Sequence, residues 1–174
     1  MNMPRRNTTT RATLVGLGAT LAAFSQVALA STAHATGTWD ESRVRIQSAR
    51  GDCLTAVPRS TNQLDTERCD TDNLRGNWRM VDNLDANFLL KNWSTGECLD
   101  SERNVLGGKV YMSACDQNDG GQVWRYDCFE GRLMNLASTT FLTRFTSGVV
   151  GHQQRSTSDI GKQVWNIVPR PHAC

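Results

Sequence analysis

Six cysteines in 174 residues are the side chains best suited to covalent chemistry, and in so short a chain they point to disulfides. Cys53, Cys69, Cys98, Cys115, Cys128 and Cys174 include no C-x-x-C pair, and only His34, His152 and His172 offer imidazole. No metal site is predicted from that set. Once the cysteines are bridged, no thiol remains to act as a nucleophile. Glycoside hydrolysis needs two carboxylates placed across the bond, one with a raised pKa. The 17 acidic residues fall mostly in turns or beside basic residues, where a solvated face is the expectation. There is no G-x-S-x-G elbow and no glycine loop to cradle a phosphate. The prediction is a binding protein, not an enzyme, with no cofactor.

Location and charge narrow the partner. Residues 1–11 carry Arg5, Arg6 and Arg11 and no acid, and the chain from Ala12 to Ala30 is uncharged and mostly apolar. Small-x-small sites stand at Ala28-Leu29-Ala30 and Ala33-His34-Ala35. This pattern predicts a secretory signal peptide over 1–35, cleaved after Ala35, and a secreted, extracellular domain over 36–174. A membrane anchor is the competing reading, and Gly16, Gly18, Ser25 and Gln26 weigh against it. Without the three leader arginines, 16 of the 19 basic residues face 17 acidic ones. A nearly neutral domain gives no support to nucleic acid or an anionic membrane as partner. No later stretch is apolar enough to span a bilayer.

The elements that position these side chains repeat three times. Val44 to Leu54 lines up with Leu89 to Leu99 and with Arg132 to Leu142, giving copies over about 42–81, 87–127 and 131–169. Each copy later reaches a tryptophan two residues before an apolar residue: Trp78-Arg79-Met80, Trp124-Arg125-Tyr126 and Trp165-Asn166-Ile167. Short apolar runs separated by Gly, Asn, Asp and Ser predict strands, and no stretch has a helical apolar face. Three copies are too few for a propeller and suit a closed all-β barrel, with Trp78, Trp124 and Trp165 in one core layer. The cysteines keep the same register. Cys53 with Cys69 and Cys98 with Cys115 make one local bridge per copy. The third copy has Phe141 and Ser156 at those places, which leaves Cys128 to pair with Cys174.

Gln122-Val123-Trp124, Gln163-Val164-Trp165, Gly51-Asp52-Cys53-Leu54 and Gly96-Glu97-Cys98-Leu99, set at a threefold period, resemble the ricin B-chain-like lectins with their Q-x-W repeats. The resemblance spans about residues 42–169. It implies a β-trefoil that binds carbohydrate in shallow pockets, one possible in each repeat. In such a pocket an acid after the first cysteine accepts sugar hydroxyls, an aromatic on the next strand stacks on the ring, and a polar side chain near the Q-x-W closes the site. Only the second copy comes close. Asp100 is the acid; Ser113 stands where the ring belongs, and Tyr111, two residues earlier and so on the same face, takes over stacking. Gly121 replaces the expected amide, so closure falls to Gln122, Gln117 or Asn118. Thr55 and Thr143 replace the acid in the other copies, and His152 is expected as a solvated loop residue.

The partner is therefore expected to be a glycan or polysaccharide. The alternative is a protein-binding trefoil, such as a secreted toxin's targeting subunit or a protease inhibitor. For inhibition, the loop Val57-Pro58-Arg59-Ser60-Thr61-Asn62 would present Arg59 to a trypsin-like pocket.

Overall fold

The computed structural model describes residues 43–57, 64–82, 86–171 and 174. The predicted signal peptide, the loop residues Pro58 to Asn62, and His34 and His172 lie outside them. Among the described residues the architecture is twelve strands joined by turns and three short 3-10 turns.

The first repeat supplies β1 (Arg45–Ser48), β2 (Asp52–Ala56), β3 (Leu64–Arg68) and β4 (Trp78–Asp82). The second supplies β5 (Asn87–Asn92), β6 (Cys98–Ser101), β7 (Gly107–Ser113) and β8 (Trp124–Asp127). The third supplies β9 (Arg132–Asn135), β10 (Phe141–Arg144), β11 (Val150–Gln153) and β12 (Trp165–Val168). The first and last strands of each repeat form a closed ring. β12 pairs with β1, β4 with β5, β5 with β8, and β8 with β9. A bridge between Val44 and Trp78 and the Trp165 N–H donating to the Gly131 carbonyl at 2.7 Å close the remaining seams. The middle pairs β2–β3, β6–β7 and β10–β11 are hairpins, and β7 and β11 also pair with each other. This is a β-trefoil.

Tryptophan sets the threefold core. Trp78, Trp124 and Trp165 are each 0% exposed. Their Nε1 atoms donate to the carbonyls of Leu54, Leu99 and Leu142, every one at 3.0 Å. A buried indole needs such a partner for its N–H, and the repeat provides the same one three times. Around them Ile46, Leu54, Leu90, Leu99, Leu133 and Leu142 fill the barrel.

The three bridges are Cys53–Cys69, Cys98–Cys115 and Cys128–Cys174, as the repeat register predicts. One detail of that register shifts. Gln122 accepts from the Asp116 N–H and donates to the Ala114 carbonyl, while Gln163 accepts from the Ser156 N–H and donates to the Gln154 carbonyl. The third-repeat counterpart of Cys115 is therefore Arg155, not Ser156. Arg155 pairs there with Glu130, so an ion pair stands near where the other repeats carry a covalent staple.

Candidate functional site

The second repeat builds its site on the β6–β7 hairpin. Cys98 lies opposite Ser113 and Asp100 opposite Tyr111. Val110 and Met112 alternate into the core, which turns Tyr111 and Ser113 to the other face, beside Asp100. Tyr111 is half-buried, whereas Asp100 is only 2% exposed.

The Asp100 carboxylate is held by the chain itself. Oδ1 accepts from the Ser101 N–H at 2.7 Å; Oδ2 accepts from the Ser113 hydroxyl at 2.6 Å and from Gln122 Nε2 at 3.4 Å. Burial pushes its pKa above the ordinary value of 3.8; the Ser113 bond works the other way, and the Asp119 charge adds to the rise. Tyr111 also titrates above its usual 10.0, through burial first and then the nearby Asp100, Asp119 and Glu102 charges, with Arg103 opposing. At neutral pH its phenol keeps its proton.

Gln122 locks the floor of the site. It is 1% exposed, its Nε2 donates to Ser113 Oγ at 2.7 Å and to the Ala114 carbonyl at 2.8 Å, and its Oε1 accepts from the Asp116 N–H at 2.9 Å. Its role is to position Ser113 and Asp100. Gln117 and Asn118 are exposed on the preceding loop, where the Asn118 N–H donates to Asp116 Oδ1. Gly121 has a steric reason to be glycine: a Cβ there would lie 2.5 Å from Asp100 Oδ1 and 2.7 Å from the Ser101 carbonyl. On the rim, Asp119 accepts from the Gly121 N–H and pairs with Arg103 at 3.4 Å. The structure thus brings together Asp100, Tyr111 and Gln122 and leaves Gln117 and Asn118 on the surface. The hairpin offers a half-buried phenol on the strand position opposite a buried carboxylate.

The other repeats lack this pairing. Thr55 faces Asp65, and Thr143 faces Gly151. Glu67, in the place of Ser113, is taken up by Arg75 at 2.9 Å. His152 is a correction to the expected loop residue. It lies on β11 opposite Leu142, is 0% exposed, and has Nδ1 2.6 Å from the Thr140 hydroxyl, while among the described residues Nε2 has no hydrogen-bond partner. Strand alternation puts it in step with the core-facing Val150, two residues before it. Among the described residues, no cluster of three or more His, Cys, Asp or Glu is placed to hold a metal, and no helix is long and apolar enough to cross a membrane.

Trp93 is an aromatic residue that the other two repeats do not share. Trp93 follows β5, is 39% exposed, and has the Arg43 and Arg79 guanidinium carbons each 5.0 Å from its ring centroid. The signal for it is negative: three tryptophans mark the repeat, and Trp93 is not one of them.

Residues 42–165 match the ricin-type β-trefoil lectin domain. No curated protein matches the sequence. Solved structures with the same fold include a designed threefold-symmetric protein, ThreeFoil, at 19% identity and TM-score 0.61, covering 72% of this chain and 97% of that one. A Polyporus squamosus lectin bound to the epitope Neu5Acα2-6Galβ1-4GlcNAc is 16% identical, with TM-score 0.63 and 73% of this chain covered. This chain spans 48% of that lectin. The cytolethal distending toxin of Actinobacillus actinomycetemcomitans is 14% identical, with TM-score 0.60, covering 74% of this chain and 91% of that one.

Proposed function

The chain belongs to the ricin-type β-trefoil lectin family, and from that premise we propose that it is a secreted, non-catalytic carbohydrate-binding protein whose sugar site is the Asp100–Tyr111 hairpin of the second repeat. The observation that carries this reading is the direct opposition of Asp100 and Tyr111 on one face, with Ser113 and Gln122 fixing the carboxylate. A half-buried phenol can lie against the apolar face of a pyranose and hydrogen-bond its hydroxyls, and the carboxylate adds acceptor charge beneath. A single shallow pocket of this kind binds weakly, since each hydrogen bond to the sugar replaces one to water. Useful avidity then comes from clustered protein or a multivalent glycan surface. Three disulfides and the leader-like residues 1–35 support an extracellular site of action.

The test is a glycan and polysaccharide array probed with oxidised protein beside Tyr111→Ala and Asp100→Asn variants of confirmed fold. Specific signal that both variants lose is the expected result. Signal that survives both moves the pocket away from this hairpin, and silence across a broad array removes the carbohydrate reading. Export is checked separately, by N-terminal sequencing of the protein recovered outside the cell, with Thr36 expected first.

A further inference from the structure

We infer that His152 and Glu102 form a proton-operated latch, in which a proton taken up at His152 Nε2 ties the third repeat to the β6–β7 hairpin through the Glu102 carboxylate. A chain of buried side chains decides which ring nitrogen is free to take that proton. Asn135 Nδ2 donates to the carbonyls of Gly120, Gly121 and Val123, which orients the amide and leaves Oδ1 as the acceptor. Ser138 Oγ donates to that oxygen at 3.0 Å, so the Ser138 hydroxyl proton is spent there. The 2.6 Å contact between Ser138 and Thr140 must then use the Thr140 proton. The 2.6 Å contact between Thr140 and His152 must in turn use a proton on Nδ1. The neutral imidazole is therefore the Nδ1–H tautomer, and its Nε2 carries a bare lone pair. That nitrogen has no hydrogen-bond partner among the described residues, and the residue is 0% exposed.

Gly108 lets a carboxylate approach it. His152 lies directly opposite Gly108, and a Cβ on that glycine would lie 3.1 Å from His152 Nε2 and overlap Glu102 Oε2. Two side chains from different repeats thus converge over one missing side chain. In the neutral state Oε2 accepts the Lys109 N–H at 3.2 Å and has only a second acceptor, the Nε2 lone pair, on its other side. A proton on Nε2 turns that acceptor into a donor and allows an imidazolium–carboxylate bond. The proton comes from solvent, and the exposed Glu102 gives it a path to the buried ring. Nδ1–H keeps its bond to Thr140 throughout, so the ring need not turn.

Glu102 is the charge that bears on the ring, pulling its pKa up against the burial that lowers it. The strands packed against β11 are β7, β10 and β3, and their charged groups are engaged or directed elsewhere. Lys109 follows Gly108 on β7 and so faces the other side of the sheet. Arg144 on β10 pairs with Asp52, and Arg103, next to Glu102, pairs with Asp119. On β3, Glu67 pairs with Arg75, the Asp65 carboxylate accepts the Thr66 N–H, and Arg68 is exposed. The hairpin that the latch holds carries Asp100 and Tyr111, and Glu102 is one of the charges acting on the Tyr111 phenol. Closing the latch offsets that charge, whether or not the hairpin binds sugar.

The test is nuclear magnetic resonance of the oxidised, nitrogen-15-labelled full chain, titrated from about pH 8 to about pH 4.5, with His152→Met assigning the ring signals by their loss. At the alkaline end His152 should carry its proton on Nδ1, with Nε2 bare. On acidification Nε2 should gain a proton, and the Lys109 amide should shift with the same midpoint. Glu102→Gln, at an exposed position, should lower that midpoint by about half a pH unit or more, roughly a threefold loss of proton affinity. It should also uncouple the Lys109 amide from the ring. Four results would each overturn the inference: a neutral ring protonated on Nε2, a ring that stays neutral throughout, a Lys109 amide indifferent to the His152 titration, or an unchanged midpoint in folded Glu102→Gln.

Discussion

Ser113 donates a 2.6 Å hydrogen bond to Asp100 Oδ2 from the strand position that the family resemblance assigns to a stacking ring. The hydroxyl that replaces the ring therefore holds the carboxylate, and Gln122 donates to both of them. Ser113→Ala leaves Oδ2 with the 3.4 Å Gln122 contact alone, at a cost of about 1–2 kcal/mol near neutral pH.

That cost should depend on pH with a definite sign. The native pKa of Asp100 lies above 3.8, so its contribution to stability is fully present below 3.8 and is lost as pH rises through the native value. Removing the Ser113 bond, which opposes the rise, pushes the native pKa further up. The deficit of Ser113→Ala against the parent should be small near pH 3.5 and grow towards pH 6, read from urea midpoints. A deficit that stays constant across that range would mean the bond does not act on the charged form.

His152 carries the opposite dependence. Burial lowers its pKa below 6.5, while the Glu102 charge pulls the other way. The unfolded chain takes up a proton near pH 6.5 and the native imidazole resists it, so stability is lost as pH falls from there towards the native value. His152→Met should flatten the urea midpoint between pH 7 and 5. Methionine is the natural choice because Met112 holds the corresponding position of the second repeat, opposite Leu99 as His152 is opposite Leu142. A parent protein whose midpoint is level over that range would show that His152 does not titrate with folding.

The contrast between His152 and the tryptophans shows what a sequence of this kind makes legible. Trp78, Trp124 and Trp165, and the two local bridges, recur at a fixed period, and repetition alone assigns them a common environment. His152 occurs once. Its burial follows from strand register, because one residue of slip would turn it to solvent. Asp100 was legible as the acid of a repeat but not as a buried one, since Ser113, Gln122 and Gly121 close over it only in three dimensions. Trp93 is a tryptophan in one copy alone, and its arginine neighbours come from other positions in the chain.

Threefold equivalence can be tested at the core. Trp78→Phe, Trp124→Phe and Trp165→Phe each remove one indole N–H from a buried leucine carbonyl and leave a small void. Each should cost about 2–4 kcal/mol, with the three values close to one another, in chemical denaturation at pH 7. The hydrogen bonds are alike at 3.0 Å and the rings equally buried, so a cost confined to one repeat would show that equal geometry does not bring equal energy here.

A last position departs from the repeat at the expense of stability. Gly51 and Gly96 precede Cys53 and Cys98 by two residues and hold φ at +92° and +73°; Thr139, two before Phe141, holds +54°. A β-branched side chain is strained in that region, where glycine is not. Thr139 is exposed, so its side chain adds little packing, and its hydroxyl bond to the Ser138 carbonyl competes with water. Glycine also makes the unfolded chain more flexible, which offsets part of the relief. Thr139→Gly should therefore stabilise the protein by about 1 kcal/mol and raise its urea midpoint without changing the slope. Destabilisation instead would mean that the Thr139 hydroxyl, and not the backbone conformation, governs this turn.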